Sequence, residues 1–279
     1  MTEKWLIAPG EERVIDIAQA TRLKVSLVGG QVDVVAHDEP GIRIEVHGVT
    51  IKDLRIESSG TEIEIDHPQL GWDNFLEVFR NFGSGGPRAE VSVAVPRAIA
   101  LNLGVVSAGA LVSGIANDAR LNTVSGDLIV DTHTGDLTLN SVSGDVQVRG
   151  LTGSATANSV SGDIAITGSV RKTSVDTVSG SIWVDATGAV NTINVNTVAG
   201  NTTIRLEETL PATFVVRSMS GGVLIDGIDR GNSGPTNYTG STGELAGSFV
   251  DIRTNSVSGD TTVLRKALTS VADDPEWEA

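Results

Sequence analysis

Cysteine is absent from all 279 residues of this chain. Without thiols there is no disulfide framework and no thiolate metal site. Aromatic residues make up only 4%, against 39% apolar residues in all, so the core must be aliphatic and thin. Long apolar runs are missing too. The opening Met1-Thr2-Glu3-Lys4-Trp5-Leu6-Ile7-Ala8-Pro9 has an apolar run of four. A secretory h-region takes roughly 7–15 residues and a membrane span about 20. The expectation is a cytoplasmic protein with no direct membrane insertion. Basic residues are few: 20 Lys and Arg stand against 35 Asp and Glu, a formal net charge of −15. That balance repels nucleic-acid phosphates and anionic lipid, and directs the choice of partner toward cations and proteins. The four histidines, His37, His47, His67 and His133, show no metal-ligand spacing. No cofactor is expected.

Glycine is plentiful, at 32 residues, and it recurs in a fixed phrase. Val124-Ser125-Gly126-Asp127 returns as Val142-Ser143-Gly144-Asp145, Val160-Ser161-Gly162-Asp163 and Val178-Ser179-Gly180-Ser181, a step of 18 residues each time. A fixed step of this size is the signature of stacked coils, each burying its neighbour's apolar side. A weaker step of nine runs through Gly126, Gly135, Gly144, Gly153 and Gly162, so each coil has two sides closed by a glycine turn. After the turns, apolar residues alternate: Leu128 and Val130, Leu137 and Leu139, Val146 and Val148, Ile164 and Ile166, Ile182 and Val184. Period-two patterning directs these inward and places Ile129, Thr138, Gln147, Thr156, Ala165 and Trp183 outward.

The predicted fold is therefore all-β: a single-stranded parallel β-solenoid, β-helix-like, with about 18 residues per coil. Residues 1–66 read as an N-terminal β cap or first irregular coils. In 67–89, Trp72, Phe75, Phe79 and Phe82 fall at helical spacing before a Gly-rich loop. This helical insertion reads as a cap on the solenoid or an aromatic docking segment. Residues 90–267 form the repeat array and 268–279 an acidic tail. Past Gly180 the step loosens, with the phrase glycine at Gly200, Gly221 and Gly259, and the polar stretch from Asp229 to Gly243 reads as a loop.

Several columns carry possible chemistry. Asn122, Asn140 and Asn158 are 18 apart, Asp176 takes the next place, and Asn196 and Asn255 precede the later phrases. Stacked amides donate to one neighbouring coil and accept from the other, which predicts a structural ladder. The turn glycines are expected to adopt positive φ. Asp127, Asp145 and Asp163 are weak calcium candidates. Their spacing is related to the β-roll repeat but lacks its glycines, and Ca²⁺ needs six to eight oxygens. Solvated corner residues are the plainer reading. Trp183 is a possible partner contact. No acid–base constellation is visible, and Ser169-Val170-Arg171-Lys172 matches S-x-x-K without its companion motifs.

The repeated Asn-[Ser/Thr]-Val-Ser-Gly-Asp unit, as in residues Asn140 to Asp145, resembles a bacterial β-strand-repeat family of unknown function whose members carry the label "putative adhesin". Val91-Ser92-Val93-Ala94-Val95-Pro96 looks like that family's lead-in strand, and the likeness spans roughly residues 20 to 267. It implies no catalytic residues, and a role at a surface. The expected function is a non-enzymatic interaction or scaffold module with a protein partner. Two alternatives stand beside it: a carbohydrate-active β-helix enzyme and a calcium-binding β-roll.

Overall fold

Alternating aliphatic and polar residues, broken by Gly-containing corners, leave this chain little choice but extended structure. The computed structural model describes residues 2–67, 86–231, 234–245 and 247–266. Its 23 strands form one sheet. In chain order they are β1 (Thr2–Ile7), β2 (Arg13–Ile17), β3 (Arg22–Leu27), β4 (Gly29–His37), β5 (Ile42–Thr50), β6 (Leu54–Ser59), β7 (Glu62–Asp66) and β8 (Arg88–Pro96). Then come β9 (Ala100–Val105), β10 (Gly109–Ser113), β11 (Ala119–Thr123), β12 (Leu128–Ser141), β13 (Val146–Ser159), β14 (Ile164–Ser179), β15 (Ile182–Ala186) and β16 (Thr192–Ala199). The last are β17 (Thr202–Glu207), β18 (Ala212–Ser220), β19 (Val223–Ile225), β20 (Ile228–Gly231), β21 (Thr236–Thr242), β22 (Val250–Ser258) and β23 (Thr261–Lys266). The described residues contain no helix. The predicted helical segment with Trp72, Phe75, Phe79 and Phe82 lies outside them.

The pairings make two stacks. The first runs β2–β5–β8–β4–β10–β12–β13–β14–β15–β17–β23–β19–β20. The second runs β1–β6–β7–β3–β9–β11–β12–β13–β14–β16–β22–β18–β21. The long strands β12, β13 and β14 cross from one stack to the other. In each stack the first two pairings and the last are antiparallel, and those between are parallel. Leu128, Val146, Ile164 and Ile182 are successive partners in the middle of the first stack.

Toward the ends the spatial order departs from the chain order. A solenoid wound strictly in sequence would place Gly200, Gly221 and Gly259 one above another in that order. Instead β22 lies between β16 and β18, and β23 between β17 and β19. The final described coil is thus inserted between two earlier ones. The polar stretch from Asp229 to Gly243, read as a loop, forms most of β20 and β21, antiparallel strands that pair with β19 and β18 and finish the two stacks. At the other end β3 lies between β7 and β9, and β4 between β8 and β10. The N-terminal region thus adds rows to the parallel stacks through β3, β4 and β7. Its β1, β2, β5 and β6 are antiparallel hairpin-type additions that finish the stacks.

The inward columns are mainly aliphatic, with Thr173, Thr202 and Thr261 also buried in them. Leu128, Val130, Leu137, Leu139, Val146, Val148, Ile164, Ile166, Ile182 and Val184 are all at most 2% exposed, and Phe214 is the largest side chain in this core. Each such burial is worth roughly 1.5–3 kcal/mol, so stability accumulates coil by coil.

Candidate functional site

Period two continues through each corner of the second stack. With Leu137 and Leu139 inward, Ser141 is also inward, and Asn140 and Val142 face out. Repetition turns these positions into three parallel columns. The outward polar column holds the amides Asn122, Asn140 and Asn158, then Asp176, the amides Asn196 and Asn255, and Arg217. The inward hydroxyls are Thr123, Ser141, Ser159, Thr177, Thr197, Ser256 and Ser218. The outward apolar column is Val142, Val160, Val178, Val198, Val257 and Met219.

The amides bond along their column. Asn140 Nδ2 donates to Asn122 Oδ1 at 2.8 Å and Asn158 Nδ2 to Asn140 Oδ1 at 2.9 Å. Farther on, Asn196 Nδ2 donates to Asp176 Oδ1 and Asn255 Nδ2 to Asn196 Oδ1, both at 2.7 Å. One link is missing by chemistry. Asn158 directs its amino group to Asn140, and the Asp176 side chain carries no amide N–H to give. The ladder is interrupted there.

The hydroxyl column changes character along the stack. Thr123 and Ser141 each hold the corner glycine three residues on. Ser141 Oγ accepts from Gly144 N at 3.1 Å and donates to Gly144 O at 2.7 Å. Ser159 and Thr177 instead donate to the carbonyls of Ser161 and Ser179. The hydroxyls of Thr197, Ser256 and Ser218 are buried with no hydrogen-bond partner among the described residues. In the same rows the strands run on through Val178, Val198, Met219 and Val257.

Where the corner changes, a groove of about 570 Å³ opens. The amide column, Asn158 to Arg217, forms one wall and the apolar column, Val178 to Met219, forms the other. Val142, Val160, Val178, Val198, Val257 and Met219 are between 44% and 63% exposed. The repeated phrase alone does not single out this row, although counting parity onward from Leu139 places Val142 outside.

The corner glycines differ from expectation. Positive φ was predicted for all of them, yet Gly126 and Gly144 lie outside the left-handed region, while Gly162, Gly180, Gly200, Gly221 and Gly259 lie within it. Close approach is the common cause. A Cβ on Gly144 would sit 2.1 Å from the Gly126 carbonyl oxygen, and one on Gly259 would meet Gly200 at the same distance.

The aspartates have a backbone task. Asp127 Oδ1 accepts from Asp145 N at 3.0 Å, Asp145 Oδ1 from Asp163 N at 2.8 Å, and Asp163 Oδ1 from Ser181 N at 2.7 Å. Asp260 does the same for Gly222 N at 2.7 Å. Each carboxylate satisfies a corner N–H that the strand ladder leaves over. Among the described residues no three His, Asp or Glu side chains gather into a metal-holding set.

The other aromatic candidate is elsewhere. Trp183 lies on β15 in the first stack, away from the groove lining, with the Arg205 guanidinium 5.5 Å from its ring centroid. His67 and His133 are buried, with no hydrogen-bond partner among the described residues. Desolvation lowers the His67 imidazole to about 4 and lowers that of His133 as well, opposed there by Asp118.

Comparison with known proteins places the fold. The family model described as Toastrack DUF4097 matches residues 14–264. No curated protein is significantly similar to the chain. Among solved structures, a "putative cell adhesion protein" from Clostridium sporogenes is 14% identical, covering 93% of this chain and 100% of its own, with a TM-score of 0.31. A "putative adhesin" from Parabacteroides distasonis is 13% identical over 91% of this chain and 96% of its own, with a TM-score of 0.40. Another from Bacteroides fragilis is 9% identical over 91% and 97%, with a TM-score of 0.37.

Proposed function

We propose, from the premise that this chain belongs to the Toastrack DUF4097 family, that it is a non-enzymatic, adhesin-like interaction module. Its protein partner docks along the corner groove of the second stack. The repeated coil of about 18 residues is the device: it sets one valine per coil into a row and one amide per coil beside it.

The row of half-exposed apolar side chains carries this reading. Isolated surface valines are ordinary, but an uninterrupted apolar row facing water marks a contact surface. The neighbouring amides supply hydrogen-bonding groups that fix orientation.

Outward substitutions test it without touching the core. Val178→Asp and Val257→Asp are expected to abolish retention of the native partner by the immobilised chain. Ile129→Asp, outward in the first stack, is expected to leave retention intact. Equal retention by all three variants would remove the groove from the function.

A further inference from the structure

The groove carries opposite charges toward its two ends, and these define the segment that fits it. This inference rests on the docking reading above and adds the chemistry of the occupant. Asp176 and Arg217 both line the groove, in rows separated by Asn196 and Asn255. Among the described residues neither has an ion-pair partner. Other charged groups of the same sheet are paired: Arg253 with Asp251 at 2.7 Å, and Arg205 with Asp185 at 3.7 Å.

The break in the amide ladder sharpens the negative end. Asn158 and Asp176 both offer acceptors toward each other, so a donor from outside is needed to join them. An ammonium or guanidinium group is the kind of donor that would satisfy both. At the opposite end Arg217 presents a guanidinium, the preferred fork for a carboxylate. Between the two charges the facing wall is apolar: Val178, Val198, Val257 and Met219.

The length follows from the sheet. Three steps between neighbouring strands separate row 176 from row 217, about 14 Å at roughly 4.8 Å per step. An extended peptide covers that distance in about four residues at about 3.3 Å each. We infer that the groove receives an extended peptide segment with a basic residue at Asp176, an acidic residue four positions away at Arg217, and aliphatic side chains between them on the valine row.

The test is fluorescence anisotropy with labelled peptides and the whole chain. The probe is acetyl-Lys-Val-Thr-Val-Glu-amide, with Lys/Lys and Glu/Glu versions as charge controls. The mixed peptide is expected to bind tightest. Asp176→Asn is expected to weaken it about fivefold, the scale of one exposed ion pair, and Arg217→Gln by a similar factor. Asp176→Lys is expected to shift the preference to the Glu/Glu peptide. Asp176→Asn is a safe variant for folding, since it restores the missing amide link.

Absence of binding by the mixed peptide at millimolar concentration would overturn the inference, as would equal binding of all three peptides. Val198→Asp separates the two levels of the argument. If the peptides bind without charge preference and Val198→Asp abolishes binding, the polarity falls and the docking groove stands. If Val198→Asp changes neither peptide binding nor retention of the native partner, the groove itself is not the docking site.

Discussion

Gly144 has an ordinary backbone conformation, yet a Cβ there would sit 2.1 Å from the Gly126 carbonyl oxygen. Alanine and asparagine at 144 are therefore both expected to destabilise by roughly 1–3 kcal/mol, because the neighbouring corner is backbone and has nowhere to go. Gly10 is the contrast: its φ is +84° with nothing within 4 Å of a Cβ, so asparagine, which tolerates that conformation, is expected to cost little there. Chemical denaturation compares the variants, and a harmless Gly144→Asn would contradict the close-approach account. At the next column, Asn140→Leu removes two side-chain hydrogen bonds between amides, whereas outward Gln147 accepts one from Arg149. Asn140→Leu is expected to lower the denaturation midpoint more than Gln147→Leu. Equal losses would refute a ladder role. The buried histidines set a pH trend. Folded His67 stays neutral down to about 4, while the unfolded imidazole takes its proton near 6.5. The unfolded chain thus binds more protons in that window, and stability falls as pH drops through it, by roughly 3 kcal/mol for His67. His133, beside Leu151, is lowered in the same direction. His133→Leu is expected to stabilise the fold more at pH 5 than at pH 8. A variant no more stable than the parent at pH 5 would show that the imidazole has a partner when folded.

The last described coil illustrates what an element gains from its place. Val250–Lys266 is flanked by β16 and β17 on one side and by β18 and β19 on the other. Arg265 ties it in, donating to the carbonyls of Glu207 and Leu210 and reaching Asp226 at 3.3 Å. Native-state hydrogen exchange should follow space and not sequence. Amides of Val250–Ser258 are expected to exchange more slowly than those of Thr236–Thr242, whose strand pairs only with β18 among the described residues. Arg265→Ala is expected to speed exchange in β22 and β23 well before it affects β12 or β13. Uniform exchange across β21 and β22 would contradict the insertion. This arrangement was not legible in the chain. The pairing of Leu128, Val146 and Ile164 can be read from the phrase, because the step is constant and nothing intervenes. The pairing of Asn196 with Asn255 spans 59 residues, and two antiparallel strands lie between them in sequence. A local repeat carries no signal for such a return.

Across the whole molecule, repetition converts single residues into continuous features: amides into a ladder, carboxylates into a set of backbone acceptors, valines into an exposed row. The architecture was legible because an aliphatic core with a fixed step admits few alternatives. The amide column was legible by the same spacing. The groove was not, since it depends on the corner changing its hydrogen bonds between Ser141 and Thr177 while Val-Ser-Gly follows both. The central claim is that partner contact runs along the valine row. A photo-reactive p-benzoylphenylalanine at Val198 tests it most directly, with the same residue at Ala165 in the first stack as control. The account predicts one protein adduct from position 198, lost when Val257→Asp is added, and none from 165. No adduct at 198, or equal labelling at both positions, would contradict it.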